Sequence, residues 1–414
     1  MSEKVAILVG GGPAPGINSV ISAATIRARL AGWEVLGLPS GYSQIMAGKL
    51  EGVRPLAIED VRDLHLRGGV ALGTSRANPT KKPEDLERAV ASLRELGASC
   101  LITIGGDDTA FSAMKLAERA GTALRVVHVP KTIDNDLALP DHIDTFGYQT
   151  ARHVGAGLVG NLIADARAAG RWVFVIAMGR KAGALALGIG KTAGATLTVI
   201  PEEFPGGKTT LDRIADILAG AIIKRRAGGI KDGVAVMAEG LSDIIPESEL
   251  GRLGNILRDE HDHIRMSEID LGRGLQHVVE ERLKGLGVSC GIIAKDIGYE
   301  LRCADPIPFD IEYTRDLGCC AAQFLLDGGS AAMVSVQEGR FVPIPFSSMI
   351  DPATGKTRVR TVPIDSLRYQ VARRYMERLE KEDLADPGRL ARLARVTNLD
   401  EASFRRQFGH VVGA

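Results

Sequence analysis

The sequence predicts an α/β protein built from two doubly wound lobes, each with a mostly parallel sheet. Short apolar runs that suit buried strands alternate with segments of helical periodicity, as in parallel sheets covered by helices on both faces. Polar or glycine-rich segments directly follow several of these runs, at the position where open α/β sheets bind ligands. The 414 residues are enough for two or three domains with proper cores.

The runs predicted as strands are rich in aliphatic and β-branched residues and are short for helices. They are, in chain order, residues 5–9, 34–38, 101–104, 124–129, 172–177, 196–200, 233–238, 292–297 and 331–336.

The composition of the chain changes from Asp365 onward to arginine, glutamate and leucine at helical spacing. Leu367, Val371, Tyr375 and Leu379 recur every four residues, which predicts helices that cap a lobe or form a subunit contact. We expect the many arginines of this segment to form a solvated face.

Charge and cysteine content narrow the class of protein. Lys plus Arg and Asp plus Glu are both 51, so no global field attracts nucleic acid or a membrane surface. Aromatic residues make up only 4%, which disfavours base-stacking surfaces.

The five cysteines contain no Cys-x-x-Cys pair, and we expect reduced, mostly buried thiols. With neither a signal-type segment nor a membrane-length apolar run, a cytoplasmic protein is expected.

A glycine-rich segment, residues 10–19 (GGGPAPGINS), lies between the first predicted strand and a helical segment. Backbone N–H groups at a helix N-terminus bind anions, so this loop is a candidate phosphate site. Pro15 stands where a dinucleotide-binding fingerprint needs its third glycine, and no P-loop lysine follows Gly16. The common nucleotide-binding motifs are therefore disfavoured. A tight turn without a ligand is the alternative interpretation.

The segments GGDDT and PKTIDND each follow a predicted strand. Phosphoryl transfer needs a base for the attacking hydroxyl and a cation for the transferred group. The second segment supplies Lys131 and two carboxylates, Asp134 and Asp136, within six positions. The adjacent carboxylates of Asp107 and Asp108 are costly unless a cation lies nearby, which favours Mg²⁺ at one of them. A plain turn at the first segment and a structural ion-pair cluster at the second are the alternatives.

Other predicted strands also end in polar groups. MGR, AEG and YELR follow the strands at 172–177, 233–238 and 292–297. A sugar-phosphate pocket needs carboxylates for hydroxyls and arginines for phosphate, and these segments supply both. Each alone is equally compatible with a surface position.

Together these motifs resemble the phosphofructokinase family over roughly residues 1–345. The matching segments, in family order, are GGGPAPGIN, GGDDT, PKTIDND, MGR, AEG and YELR. The resemblance implies transfer of a phosphoryl group to the 1-hydroxyl of fructose 6-phosphate, with Mg²⁺ as the cofactor. It also implies a homo-oligomer, dimer or tetramer, with no nucleic-acid or membrane partner.

The resemblance further implies roles for individual residues. Asp134 would be the general base and Asp107 would bind Mg²⁺, with Lys131 and Asp108 also in the catalytic set. The residues on the donor side would be Gly11, Gly12, Arg76 and Asp108. Those that hold the sugar phosphate would be Thr132, Ile133, Asp134, Met178, Gly179, Arg180, Glu239, Tyr299, Glu300, Leu301 and Arg302. Arg171 matches, by its spacing before Met178, an arginine that family members lend across a subunit contact.

Two positions indicate the phosphoryl donor. Family members that use ATP commonly have glycine where this chain has Asp108 and Lys131, and the pair resembles the diphosphate-dependent branch. A carboxylate 4 Å from the α-phosphate of ATP costs about 4 kcal/mol at an effective dielectric constant near 20, roughly a thousandfold in affinity. Diphosphate ends before that point, and Lys131 can supply charge to the transferred group.

By the same resemblance, residues 1–145 with about 303–355 would bind the donor, residues 146–302 would bind the sugar phosphate, and residues 356–414 would form a C-terminal helical extension. Two alternatives stay open. One is an ATP-dependent enzyme of the family that tolerates Asp108. The other is a non-catalytic sugar-phosphate sensor or regulatory subunit, against which Asp107, Asp134 and Arg180 argue because a sensor needs no base.

Overall fold

The structure, a computed structural model, describes residues 3–140, 143–253, 270–353 and 357–412. The chain divides into two compact units. The first unit contains residues 1–151 and 299–360, and the second contains residues 152–298 and 361–414.

Strands and helices alternate along most of the chain, as the sequence predicts. The strands are β1 (Lys4–Val9), β2 (Glu34–Gly37), β3 (Arg54–Pro55), β4 (Cys100–Gly105), β5 (Arg125–Thr132), β6 (Phe146–Gly147), β7 (Trp172–Ala177), β8 (Leu197–Val199), β9 (Gly233–Ala238), β10 (Ile292–Ile297), β11 (Ala332–Met333), β12 (Val336–Gln337), β13 (Arg340–Phe341) and β14 (Ile344–Pro345). The helices are α1 (Ile17–Leu30), α2 (Tyr42–Met46), α3 (Ile58–Val61), α4 (Pro83–Glu95), α5 (Asp107–Ala120), α6 (Tyr148–Ala169), α7 (Ala184–Ala193), α8 (Leu211–Ala227), α9 (Leu241–Ile244), α10 (Glu247–Leu250), α11 (Leu271–Gly285), α12 (Tyr299–Arg302), α13 (Pro308–Leu326), α14 (Leu367–Arg374), α15 (Lys381–Ala385), α16 (Pro387–Arg395) and α17 (Glu401–Phe408).

The first unit contains a sheet in the order β14-β11-β5-β4-β1-β2-β3, with β6 paired to β5 beyond the end of β4. Strands β2, β1, β4, β5 and β11 are parallel neighbours, and only the outer strands β3 and β14 are antiparallel. The residues of β1 and β4 are almost all buried on both faces, which explains their continuous apolar sequences.

The second unit contains a four-stranded parallel sheet in the order β10-β7-β9-β8. Strands β7 and β9 are buried along their whole length. With two mostly parallel sheets and connecting helices, the predicted fold class is confirmed.

The C-terminal helices α14 to α17 belong to the second unit rather than to a separate extension. Leu390, Phe404 and Phe408 are buried in the same core cluster as the strands and α8. The spacing overstates the length of the first helix, because α14 ends at Arg374 and Tyr375 and Leu379 lie beyond it. Leu367 and Tyr375 are 75% and 81% exposed.

Arg378 is a further exception to the expected solvated face. Its side chain is buried and donates two hydrogen bonds to the carboxylate of Glu203, at 2.7 and 2.9 Å. A buried guanidinium is stable only when it is paired and hydrogen-bonded in this way. This pair therefore ties the C-terminal segment into the second unit.

Other predictions from sequence also change. The first unit takes residues 299–302, which were expected in the sugar-phosphate lobe. The five cysteines are all free, but only Cys100 is buried, while Cys303 and Cys319 are exposed. No described helix combines the length and apolarity needed to cross a bilayer.

Candidate active site

The carboxyl ends of three neighbouring parallel strands bring the predicted phosphate loops together in the first unit. Strand β1 lies between β2 and β4, and β4 pairs with β5. The glycine loop therefore follows β1. The segments GGDDT and TIDND begin at the last residues of β4 and β5, so all three lie at one edge of the sheet. This edge is where ligands of open α/β sheets bind.

The backbone of the glycine loop is fixed by its neighbours. The N–H of Gly10 donates to the carbonyl of Ile104 at 2.9 Å, and the N–H of Gly11 donates to the carbonyl of Ser75 at 2.8 Å. Gly11 has a φ of 80°, a conformation that favours glycine. A Cβ on Gly10 would lie only 2.4 Å from Oγ1 of Thr109. Close approach of the GGDDT segment therefore requires glycine at position 10.

Arg76 follows the residue that bonds to this loop. Ser75 pairs with Gly10 in an isolated parallel bridge, and the side chain of Thr74 donates to the carbonyl of Gly11 at 2.7 Å. Arg76 itself is exposed. Its backbone position thus lies beside the glycine loop.

Lys131 is a buried cation beside the glycine loop. Its ammonium group donates to the carbonyl of Gly12 at 2.7 Å, and only 5% of the residue is exposed. The pKa of Lys131 is lowered to about 8, mainly by burial. The carboxylate of Asp134 opposes this shift, and the cation of Arg302 adds to it. The sequence placed Lys131 on a loop, but β5 continues through it because Lys131 pairs with Phe146 of β6.

The two adjacent carboxylates begin helix α5. Asp107 and Asp108 occupy its first turn, where the helix dipole favours negative charge. Oδ1 of Asp107 accepts the N–H of Asp108 at 2.9 Å, and Asp108 is exposed. Within the described part of the chain, no group of three His, Cys, Asp or Glu residues could hold a metal ion. A single aspartate suits Mg²⁺, which commonly takes one or two carboxylates together with substrate phosphates.

The loop that carries Asp134 is held by local hydrogen bonds. The side chain of Thr132 accepts the N–H of Asp134 at 3.0 Å. The hydroxyl of Thr145 donates to the carbonyl of Thr132 at 2.8 Å. Ile133 is buried, whereas Asp134 is only partly buried. The turn therefore fixes the backbone of Asp134, and Oδ1 of its carboxylate is buried.

His128 lies in β5 before Lys131 and was not singled out from the sequence. Its Nε2 donates to the carbonyl of Gly105 at 3.0 Å, so its Nδ1 is the acceptor for the hydroxyl of Thr103 at 2.8 Å. Burial lowers the pKa of His128 to about 3, which keeps the imidazole neutral. His128 thus fixes the end of β4 directly before the two aspartates. A lone histidine in an apolar strand carries no sequence signal for this role.

The YELR segment also contributes to this edge of the first unit. Nη1 of Arg302 lies 3.0 Å from the position that a Cβ on Gly12 would take, and its guanidinium stands over the ring of Tyr299 at 5.1 Å. Tyr299 and Glu300 are exposed. Leu301 is fully buried, so it can offer a ligand only its backbone.

In the second unit, Met178 to Arg180 and Glu239 lie at the carboxyl edge of the sheet. Strands β7 and β9 pair in register from their first residue to their last, so the segments that follow them are neighbours. The N–H of Gly240 donates to the carbonyl of Gly179 at 3.3 Å, and a Cβ on Gly240 would lie 2.3 Å from the carbonyl oxygen of Arg180. Glycine at position 240 therefore lets the two segments meet.

Arg180 is an exposed cation with a carboxylate partner. Its guanidinium bonds both oxygens of Asp243, at 2.9 and 3.3 Å. Hydrogen bonding to Asp243 raises the pKa of Arg180, and the charge of Glu239 acts in the same direction. Asp243, which the sequence did not single out, thus orients the arginine.

Arg171 does not join this group. It directly precedes β7, whereas Met178 directly follows it, and six residues of strand span about 20 Å. Arg171 forms an ion pair with Asp165 at 2.7 Å. Within one chain it is therefore remote from Arg180.

Comparison with known proteins identifies the family. The family model described as phosphofructokinase matches residues 4–325. The chain is 50% identical to a pyrophosphate--fructose 6-phosphate 1-phosphotransferase of Thermotoga maritima, with 99% of each chain covered. It is 48% identical to a protein of that name from Naegleria fowleri, with 98% of this chain and 95% of the relative covered. This chain belongs to the phosphofructokinase family.

A solved structure agrees on the fold. The pyrophosphate-dependent phosphofructokinase of Nitrosospira multiformis superimposes with a TM-score of 0.69 over 90% of both chains, at 17% identity. In the present chain, the structure brings Gly11, Gly12, Lys131 and Arg302 together in the first unit. It brings Met178 to Arg180 and Glu239 together in the second.

Proposed function

We propose that this protein is a diphosphate-dependent 6-phosphofructokinase. It transfers a phosphoryl group reversibly from diphosphate to the 1-hydroxyl of fructose 6-phosphate, giving fructose 1,6-bisphosphate and phosphate. The observation that carries the proposal is similarity over the whole length to relatives named for this reaction, at 50% and 48% identity. The burial of Lys131 against the glycine loop supports diphosphate as the donor.

The proposed chemistry begins with Asp134. Its carboxylate takes the proton of the 1-hydroxyl as the oxygen attacks the near phosphorus of diphosphate. The bond from that phosphorus to the bridging oxygen breaks, and phosphate leaves. Lys131 stabilises the charge on the transferred group from a position fixed before the substrate binds. Its burial strengthens that interaction because water does not screen it.

Asp107 is proposed to hold Mg²⁺ together with oxygens of diphosphate. When bound there, the ion neutralises charge on the phosphate oxygens. Asp108 at the exposed start of α5 disfavours the longer phosphate chain of ATP by repulsion. Gly11 and Gly12 offer a backbone that a phosphate can approach closely, and Arg76 would add a donor-side cation.

We propose that fructose 6-phosphate is held by Thr132 to Asp134, Met178 to Arg180, Glu239 and Tyr299 to Arg302. Arginines suit its phosphate and Glu239 suits its hydroxyls. The first unit is proposed as the donor side, and the second as the main sugar-phosphate side. The position of Arg171 at the amino end of β7 supports the proposal that it serves a neighbouring copy in a homo-oligomer. Five free cysteines suit the reducing cytoplasm, where we place the protein.

A coupled assay with aldolase tests the proposed function. The purified protein is given fructose 6-phosphate and Mg²⁺ with either diphosphate or ATP, and fructose 1,6-bisphosphate is measured as triose phosphate. We expect turnover with diphosphate and little with ATP. Turnover with ATP alone would identify the ATP-dependent enzyme instead. No turnover with either donor, from a protein that still binds fructose 6-phosphate, would identify a sensor.

A further inference from the structure

Arg360 is the last residue of the first unit and lies outside every motif that the sequence presents. Its guanidinium contacts the loop that follows β5. Nε donates to the carbonyl of Asn135 at 3.0 Å, and Nη2 donates to the side-chain oxygen of the same residue. Nη1 donates to the carbonyls of Ile143 at 2.7 Å and Pro140 at 3.3 Å. One side chain thus joins the start and the end of the loop.

The backbone of the same segment also binds this loop. The N–H of Arg360 donates to the carbonyl of Asp136 at 2.9 Å. Val359 and Leu137 form an isolated antiparallel bridge. These contacts align the segment with the residues that directly follow Asp134.

Asn135 links Arg360 to Asp134. It follows Asp134 directly, has a φ of 57° and is only 7% exposed. Its side-chain oxygen also accepts the N–H of Thr145 at 2.9 Å, and its amide donates to Asp144 at 2.7 Å. A left-handed conformation costs an asparagine free energy unless the surroundings hold it. Arg360 supplies two of the hydrogen bonds that do so.

We propose that Arg360 is a positioning residue that holds the loop carrying Asp134 in its reactive conformation. The inference rests on the proposed function, in which Asp134 is the base. The acceptors on the loop are four neutral oxygens, the carbonyls of Asn135, Pro140 and Ile143 and the side-chain oxygen of Asn135. A planar guanidinium has five N–H donors in a rigid fork and can serve them together, whereas lysine presents a single point charge. The geometry of the donors matters, beyond the positive charge.

Arg360→Lys is the main test because it keeps the charge and removes the fork. We expect its kcat to fall by about 100-fold, because displacing a reactive group by about 1 Å has an effect of this size. Arg360→Ala should fall at least as far, and added guanidinium should restore part of its kcat while methylammonium should not. Arg358→Ala is the matched control, since Arg358 is an exposed arginine two positions away, and it should keep wild-type kcat.

Hydrogen exchange tests the same clamp without any substrate. In Arg360→Lys, peptides covering 132–140 should exchange faster than in the wild type, while peptides covering β4 should not. This result does not depend on which donor the enzyme uses. If the wild type lacks diphosphate activity, the proposed function fails, and the exchange data still decide the role of Arg360. Wild-type kcat or unchanged loop exchange in Arg360→Lys would overturn the inference, as would faster exchange throughout the protein.

Discussion

The carboxyl edges of the two sheets differ in how they hold their charges. At the edge of the first sheet, the cation of Lys131 is only 5% exposed, and the neutral side chains of Asn135 and His128 are buried. At the edge of the second sheet, the side chain of Arg180 is 50% exposed and paired with Asp243. The strand ends thus present a buried cation, Lys131, in the first unit and a half-exposed cation, Arg180, in the second.

This difference corresponds to two chemical tasks. Stabilising a transition state requires charges that are in place, and shielded from water, before the reaction begins. Binding a sugar phosphate relies on charge-assisted hydrogen bonds from cations that the phosphate can reach. This contrast supports the proposal that the chemical step takes place at the first edge and that the second edge mainly binds substrate. Variants of Asp134 and Lys131 should lower kcat, and variants of Arg180 should raise KM.

The largest effect is expected at Asp134. Asp134→Ser removes the base and should lower kcat by about a hundredfold to ten-thousandfold, with binding of fructose 6-phosphate broadly intact. Steady-state kinetics and sugar-phosphate titration measure the two quantities. Retention of wild-type kcat would remove Asp134 from the mechanism.

Arg180→Ala tests the second edge. Losing a charge-assisted contact to phosphate should raise KM for fructose 6-phosphate by about 10- to 100-fold and leave kcat nearly unchanged. Arg252→Ala is the matched control, because Arg252 forms a comparable exposed ion pair with Asp212 and belongs to none of the proposed site segments. A fall in kcat with unchanged KM at Arg180 would reverse the assignment of the two edges.

A smaller effect is expected from the titration of Lys131. Since its pKa is lowered to about 8, the ammonium is charged below that pH and loses its charge above it. The value of kcat/KM for diphosphate should therefore fall about tenfold between pH 7 and pH 9. Lys131→Arg keeps its charge throughout this range. Diphosphate itself titrates equally in both assays, so the ratio of kcat/KM in the wild type to that in the variant isolates the titration of Lys131. A constant ratio across this range would contradict the role of Lys131.

The smallest effect concerns stability rather than turnover. The pKa of His128 is about 3 in the folded protein and about 6.5 in an unfolded chain. The unfolded chain therefore takes up a proton first as pH falls, which destabilises the fold by about 2 kcal/mol between pH 7 and pH 5. Denaturant unfolding of His128→Gln should lack this increment of acid sensitivity. If the free energy of unfolding falls equally with pH in the wild type and in His128→Gln, His128 is accessible to protons in the folded state.

The sequence predicts the parts of this molecule that depend on local patterns. The buried strands and the glycine loop stand out in local sequence, so periodicity and turn chemistry find them. The contacts that fix the loop, to Ser75 and Ile104, are not local. The contacts of Lys131 and Arg360 are not local: Lys131 pairs with Phe146, and Arg360 reaches a loop more than 200 positions earlier. Neither pairing has a signature in a single sequence.

The C-terminal helices show a second limit of sequence reasoning. Four-residue spacing correctly indicates the helix that begins at Leu367, but it extends that helix past its end at Arg374. It also does not say which face is covered. In α14 the buried residues are Tyr369 and Ala372, while Leu367 is exposed. Packing against the second unit decides the buried face, and propensity alone cannot supply that information.

The choice of phosphoryl donor tests the account most directly. Wild type, Asp108→Gly and Lys131→Gly are compared with diphosphate and with ATP by steady-state kinetics. We expect the wild type to use diphosphate, Lys131→Gly to lose about a hundredfold of that turnover, and Asp108→Gly to lose diphosphate activity while gaining weak activity with ATP. A wild type that prefers ATP, or a donor ratio that neither change alters, would contradict it.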